Sequence, residues 1–393
     1  MNEPASTLIL LEMIFCDFEN DPDILSSYFE RLQLTLESLS KQQVPAHAEL
    51  SVVVYVSQDK GTWIDKVQGE IDRWAEVRDA RVSITTHTYD HPGIGYPEGD
   101  PTRVDWQKNP SKHAPYREQL FTSSCAAVDF GAYDRLIRVT LDDDDIWLPW
   151  HTTTLVTVAE AARSDERIAH QEDLALGLLD VNLAYIGDHE VEVRTVALER
   201  TLTGDKFYVI DKPGARDDLA KRSAWSIPEI MDKEQQRKMA HHGVGLYAVR
   251  NFVAGFVYMR WGQNLSRQRK DGFQLVGLGS QTLSTARDVL GLSQKQVPTG
   301  RTSELWFGIL PGRFKVEAKR RGRRLEVSTN FDDVKKSGAQ LALQVMRGNK
   351  RIDVRAYGQS ANAVFEDVPP AVTVRAFIRR DGEVTDRAAS QEV

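Results

Sequence analysis

Apolar runs and amphipathic stripes alternate along the first 141 residues of the chain. TLILLEMIF (7–15) is a continuous apolar, β-rich run. Between Ile24 and Ser40, Leu25, Phe29, Leu32, Leu36 and Leu39 recur at spacings of three and four, the stripe of an amphipathic helix. ELSVVVYVSQD (49–59) has the unbroken apolar character of a strand buried on both faces of a parallel sheet. Trp63, Val67, Ile71 and Trp74 predict a helix over 63–77, RVSITTHTY a strand over 81–89, and 116–130 a further helix. RLIRVTL (135–141) is the next strand, with a helix expected at 151–162. Strand and helix alternate, so this half reads as an α/β layer on a mostly parallel, Rossmann-like sheet. The segment 90–115 mixes Gly, Pro, His, Tyr and Trp without periodicity, the mark of a binding loop or lid. From 151 to about 290 helices mix with strands such as KFYVI (206–210) in no legible order.

The rhythm changes after GLSQKQVPTGRTSE (291–304), a polar stretch containing Gly and Pro. RFKVEAKR, RLEVSTN, AQLALQVMRG, IDVRAYG and VTVRAFIRR follow at roughly ten-residue intervals, as in an antiparallel β-sandwich. We expect two domains, 1–295 and 300–393. Charge divides the same way: residues 301–393 carry 18 Lys and Arg against 12 Asp and Glu, a net of +6, which leaves −13 for 1–300 within the total of −7. The basic stretches KRRGRR (319–324) and RGNKR (347–351) are read either as turn and edge cations that block strand pairing or as a contact with an anionic membrane surface or charged glycan.

LIRVTLDDDDIWLPW (136–150) carries the candidate chemistry. Four aspartates, Asp142 to Asp145, end a buried strand, which is where open α/β sheets bind ligands. On extended backbone Asp142 and Asp144 would share one face and Asp143 and Asp145 the other. A D-x-D pair of carboxylates suits Mg²⁺ or Mn²⁺, hard ions that take one or two protein carboxylates plus phosphate oxygens. A solvated acidic cap on the following helix or a calcium loop explains the same residues without catalysis.

With those residues in view, LDDDDIWLPW resembles the acidic segment of GT-A-fold glycosyltransferases, above all the large inverting family that builds polysaccharides, including its rhamnosyltransferase subgroup. LTLESLSKQQ (34–43), VVVYVSQDKGT (52–62) and YREQLFTSSCAA (116–127) resemble that family's first helix, second strand and turn, and the helix before the acidic strand. The resemblance covers about 1–150 in order. It implies a GT-A catalytic domain followed by the small all-β sandwich. It also implies Mn²⁺ or Mg²⁺ as cofactor, a nucleotide-diphospho-sugar donor, and a glycan or glycolipid acceptor at the cytoplasmic side of a membrane. Asp59 and Arg117 match donor-contacting positions, Asp142 and Asp143 lie where the donor is met, and Asp144, Asp142 and Asp145 are the candidate metal ligands. The turn after the second strand departs from the family's D-D-G-S, with Gln58 for one acid and Lys60 between Asp59 and Gly61. An inverting transfer also needs a carboxylate within reach of the acceptor hydroxyl. In IPEIMDKEQQRKMAHH the candidates are Asp232 and Glu229, with Glu234 competing; His241 and His242 are further candidates for a metal or phosphate contact, and the basic RWGQNLSRQRK (260–270) for a loop closing over the diphosphate.

Composition narrows the field. The chain is 41% hydrophobic and 27% charged, ordinary for a globular protein. Its longest apolar run is far short of the ~20 residues of a membrane span and lacks the flanks of a secretory signal. Cys16 and Cys125 form no metal motif or disulfide framework, which fits burial and a reducing cytoplasm. No phosphate loop, zinc ribbon, HExxH or GxSxG spacing occurs, and no aromatic platform accompanies the basic charge to suggest nucleic acid. The competing classes are a nucleotidyltransferase, which needs the same carboxylates and metal, and a non-catalytic, calcium-dependent glycan-binding or scaffold protein.

Overall fold

The computed structural model describes residues 4–16, 21–90, 110–186, 191–198, 202, 204–228, 233–260, 287, 305–308, 314–334, 338–380 and 382–393. It divides into two compact units, Met1–Gly308 and Ile309–Val393. The boundary expected at 291–304 lies outside the described residues.

The first unit opens with β1 (Thr7–Ile14), α1 (Pro22–Ser40), β2 (Ala48–Ser57), α2 (Thr62–Arg73), β3 (Val82–Tyr89), α3 (Pro110–Ser124) and β4 (Arg135–Thr140). It continues through β5 (Ile146–Trp147), α4 (His151–Ser164), β6 (Asp173–Leu178), β7 (Asp180–Ile186), β8 (Val191–Ala197) and β9 (Lys206–Asp211). α5 (Lys233–His241), β10 (Val244–Arg250), β11 (Phe256–Arg260) and β12 (Trp306–Gly308) complete it. Local chemistry explains the boundaries. Asp21 caps α1 by accepting from the N–H groups of Asp23 (2.9 Å) and Ile24 (3.2 Å), with Pro22 in the first turn. α3 stops at Ser124, short of the expected 130. There the hydroxyls of Ser123 and Ser124 bond back to Leu120 O and Phe121 O, a local competitor of the helical ladder.

Eight strands form one sheet in the order β12-β10-β6-β9-β4-β1-β2-β3. β3, β2, β1 and β4 run parallel, as the unbroken apolar runs implied, but β9 is antiparallel to both β4 and β6. The sheet is therefore mixed, with β9 and β12 running against the other six strands. Order 3-2-1-4 means that successive connections leave β1 in opposite directions, so the topological switch point lies between β1 and β4. Their carboxyl ends form the crevice where such sheets take ligands. A second sheet, β5-β11-β7-β8, has as its edge strand β5, which follows directly on the aspartates.

One face of the large sheet is buried by apolar side chains of α1, α2 and α4, including Leu32, Leu36, Val67, Ile71, Leu155 and Val158. The opposite face holds charge. Glu12 on β1 and Arg138 on β4 are both fully buried and meet in a two-pronged ion pair, 2.5 and 3.0 Å. Tyr55 donates to Glu12 (3.1 Å), while Arg138 donates to Leu219 O (2.7 Å) and lies over the Phe121 ring at 4.0 Å. That pair thus ties α3 and the 219–221 turn to the sheet. A lone buried survivor of such a pair would cost about 3–5 kcal/mol. Asp173, also fully buried, is gripped by Arg216 (2.9 Å) and Arg222 (2.7 Å), which fastens the same connection further along.

The second unit consists of β13 (Val316–Arg321), β14 (Arg324–Thr329), the short α6 (Phe331–Val334), β15 (Gln340–Arg347), β16 (Lys350–Gly358), β17 (Asn362–Phe365), β18 (Thr373–Arg380) and β19 (Glu383–Ala389). Antiparallel sheets β13-β14-β17 and β16-β15-β18-β19 enclose a core of Leu325, Val327, Phe331, Leu343, Val345, Val374 and their neighbours. KRRGRR is the β13–β14 hairpin, turning at Gly322 with φ +62°. Its arginines are engaged within the unit: Arg320 donates to Val368 O (2.8 Å), and Arg321, Arg323 and Arg324 pair with Glu326 (3.3 Å), Asp367 (3.2 Å) and Glu366 (3.4 Å). RGNKR forms the exposed turn from β15 into β16. Among the described residues no helix is long and apolar enough to cross a membrane.

Candidate active site

The acidic run lies at the switch point. It is a turn rather than extended chain: Asp145 N–H donates to Asp142 O at 3.2 Å. Simple alternation of faces therefore does not apply. Asp143, Asp144 and Asp145 are buried, and Asp142 is half-buried. Asp143 accepts from the backbone N–H of Cys16 at the end of β1 (2.9 Å). Asp145 accepts from Met259 N–H on β11 (2.8 Å), and its other oxygen has no partner. Asp144 lies 3.8 Å from the guanidinium of Arg31. The turn thus joins β1, α1 and β11 through three different carboxylates.

α1 supplies the fixings. Arg31, Thr35 and Ser38, with Gln42 just past the helix end, are spaced by four, three and four residues, and all are buried. At 3.6 residues per turn they form one polar stripe. Thr35 donates to Asp145 O (2.8 Å) and stands 3.2 Å from Asp143 O. Ser38 Oγ accepts from Trp147 N–H (3.3 Å). The amide of Gln42 donates to Trp147 O (3.1 Å) and Leu148 O (3.0 Å), while its oxygen accepts from Thr152 N–H (3.3 Å). Buried backbone groups in an irregular segment need such partners, and here a helix provides them. Cys16 adopts φ +36°, a left-handed conformation that costs a non-glycine residue energy and aims its N–H at Asp143.

The electrostatics follow from the crowding. Burial raises the carboxyl groups of Asp143 and Asp145 well above the usual range, and the charges of Asp144 and Asp142 raise them further. Asp144 is pushed up to about 6 by burial, against the opposing pull of Arg31. Tyr28, over whose ring Arg31 sits at 4.9 Å, is also shifted upward, first by burial and then by Asp144 and Asp143. Behind the turn, fully buried Asp205 has both oxygens unpartnered and its carboxyl raised by burial and by Asp180. His151 is likewise fully buried, without a partner on either ring nitrogen and lowered by burial to about 3, so it is neutral against the Trp147 ring 4.5 Å away.

Asp59 stands in a single 3-10 turn (Gln58–Lys60) at the carboxyl end of β2, with 44% of its side chain exposed and Lys60 at 4.0 Å. It therefore shares the sheet edge that carries the acidic turn. Arg117, on α3, stacks over Trp225 at 4.8 Å. His241 and His242 are exposed, with rings 6.2 Å apart. Glu229, Asp232, the 91–109 segment and 261–270 lie outside the described residues, as does the side chain of Glu234. Both cysteines are buried and form no disulfide. The sequence reading did not single out Arg31, Thr35, Ser38 or Gln42. Their signal was present as polar residues at helical spacing inside an apolar stripe.

No family model and no curated protein matches the chain. Among solved structures, it is similar to apo mouse xyloside xylosyltransferase 1 at 11% identity, covering 53% of this chain and 69% of that one with a TM-score of 0.25. It is also similar to domains d3-d4 of the rat CD45 extracellular region at 10% identity, covering 23% of this chain and 56% of that one with a TM-score of 0.18. Both likenesses are too slight to bear on fold or chemistry.

Two tests follow from the turn. Thr35→Val keeps shape but strands buried carbonyls, at a cost of about 1–3 kcal/mol, whereas Thr35→Ser should lose much less; urea unfolding of both variants decides. Asp144 has a folded pKa above its unfolded value, so its ionisation opposes folding. That penalty is absent below about pH 4, grows toward pH 6 and is complete above it. Asp144→Asn should therefore melt higher than the wild type at pH 7, and the difference should shrink as pH falls through that window. A variant that melts lower at pH 7 would mean that Asp144 holds the fold together through Arg31.

Proposed function

We propose that the first unit is a metal-dependent glycosyltransferase, moving a sugar from a nucleotide-diphospho-sugar to a hydroxyl of a glycan or glycolipid with inversion. One observation carries the reading: a buried polar stripe of α1 holds a four-carboxylate turn at the switch point between β1 and β4, the crevice such sheets use for ligands. The resemblance of four segments in order adds to it.

The donor set suits Mn²⁺ or Mg²⁺. We assign the ion to the D-x-D pair, Asp142 and Asp144. Among the described residues no group of three or more His, Cys, Asp or Glu side chains is placed to hold a metal. An ion held by two carboxylates would be completed by phosphate and water oxygens. When bound, the cation neutralises charge developing on the departing diphosphate. The chain's own residues do the rest. Asp59 orients the nucleotide from the end of β2, and Arg117 offers a planar guanidinium to the donor. Asp232 or Glu229 takes the proton from the acceptor hydroxyl as it attacks the anomeric carbon. Arg31 keeps the acidic turn tolerable until the donor complex arrives. The protein acts in the cytoplasm, on an acceptor growing at the membrane.

Incubating the chain with a panel of nucleotide sugars and a glycan acceptor in Mn²⁺ tests the reading. Release of nucleoside diphosphate is expected. Pyrophosphate release would instead indicate a nucleotidyltransferase, and calcium-dependent glycan binding without turnover a binding protein. Replacing the base, by Asp232→Asn or Glu229→Gln, should slow transfer about 10²-fold or more while leaving donor affinity unchanged.

A further inference from the structure

The basic charge of the second unit is distributed in two ways. In the β13–β14 hairpin, where it is densest in sequence, three arginines are paired with carboxylates and a fourth with carbonyls. The outer face of β16-β15-β18-β19 differs. Leu341, Leu343 and Val345 on β15, and Val374, Ala376 and Ile378 on β18, point into the core. The residues between them therefore face outward. Gln344 is registered between Val354 of β16 and Arg375 of β18, and Phe377 opposes Arg387 of β19. Beyond a bulge Arg351 opposes Met346, and Arg379 lies over the Tyr357 ring at 4.0 Å.

Arg351, Arg375 and Arg387 are exposed and form no ion pair among the described residues. Large apolar side chains accompany them: Val354 is 47% exposed, Val384 41% and Ile352 38%. Three of the five exposed large hydrophobic residues among the described residues thus lie on this one sheet. Arginines without carboxylate partners among the described residues, interleaved with exposed aliphatic groups on a broad sheet, match a surface that is anionic in its outer layer and apolar just beneath.

We propose that this face docks the protein on an anionic lipid bilayer, with Arg351, Arg375 and Arg387 meeting headgroup phosphates and Val354 and Val384 entering the interface. Polybasic surfaces gain affinity with each cation brought near such a membrane, and apolar insertion adds to it. The inference goes beyond the transferase reading and does not rest on it.

Sedimentation of the full chain with phosphatidylcholine vesicles, with and without phosphatidylglycerol, tests it in the absence of any nucleotide. The protein should sediment with the anionic vesicles alone, and less as salt rises. Arg375→Glu with Arg387→Glu should weaken binding about tenfold or more, whereas Arg323→Gln with Arg324→Gln on the hairpin should leave it unchanged. If charge reversal lowers the melting temperature, Arg375→Gln with Arg387→Gln replaces it, with a loss of about threefold or more expected. Equal binding by wild type and face variants, loss of binding in the hairpin variant, or no binding by the wild type would overturn the proposal. So would binding to a soluble anionic polysaccharide but not to vesicles.

Discussion

Four carboxylates at the mouth of a buried sheet repel one another, and in a low-dielectric setting that repulsion is severe. The first unit is arranged around this constraint. It spreads Asp143, Asp144 and Asp145 toward Cys16 N–H, Arg31 and Met259 N–H. The connecting backbone is then clamped with Thr35, Ser38 and Gln42. A left-handed cysteine and a fully buried arginine beside an acid are costly choices that a purely structural cap would not require. Both become intelligible if the turn must keep its negative charge in place for a positive ligand.

A second buried charge system supports the opposite face of the same strands. Glu12 and Arg138 are satisfied almost completely by Tyr55 and the Leu219 carbonyl, so that pair orders α3 and the 213–227 connection with little charge left over. The two systems differ in that respect. One is closed and neutral, whereas the other retains unpartnered oxygens on Asp145 and Asp205. Native interiors pair most of their polar groups, so these spare acceptors set the acidic turn apart from the closed pair.

Much of this was legible in the sequence. Strands buried on both faces and helices with apolar stripes announce themselves by period, so β1 to β4 and α1, α2 and α4 stand close to where the pattern places them. The reversal at β9 was not legible, since KFYVI carries no mark of direction. Nor could Arg138 be read as a core residue, because its partner Glu12 lies 126 positions away. The acidic run marked the candidate site, but assuming extended chain gave the wrong division of faces, since the Asp142–Asp145 turn depends on contacts from α1. Charge counting located a basic domain and missed its free face, because the hairpin's arginines are neutralised by acids brought near only by folding.

The central claim is that the acidic turn holds a cation together with a diphosphate. Titration calorimetry with a panel of nucleoside diphosphates, in Mn²⁺ and again in EDTA, tests it most directly when wild type, Asp142→Asn and Asp144→Asn are run side by side. The account predicts binding by the wild type in Mn²⁺ alone and a loss of about tenfold or more in both variants, with each variant folded. Binding of equal strength in EDTA, or equal affinity in all three proteins, would contradict it.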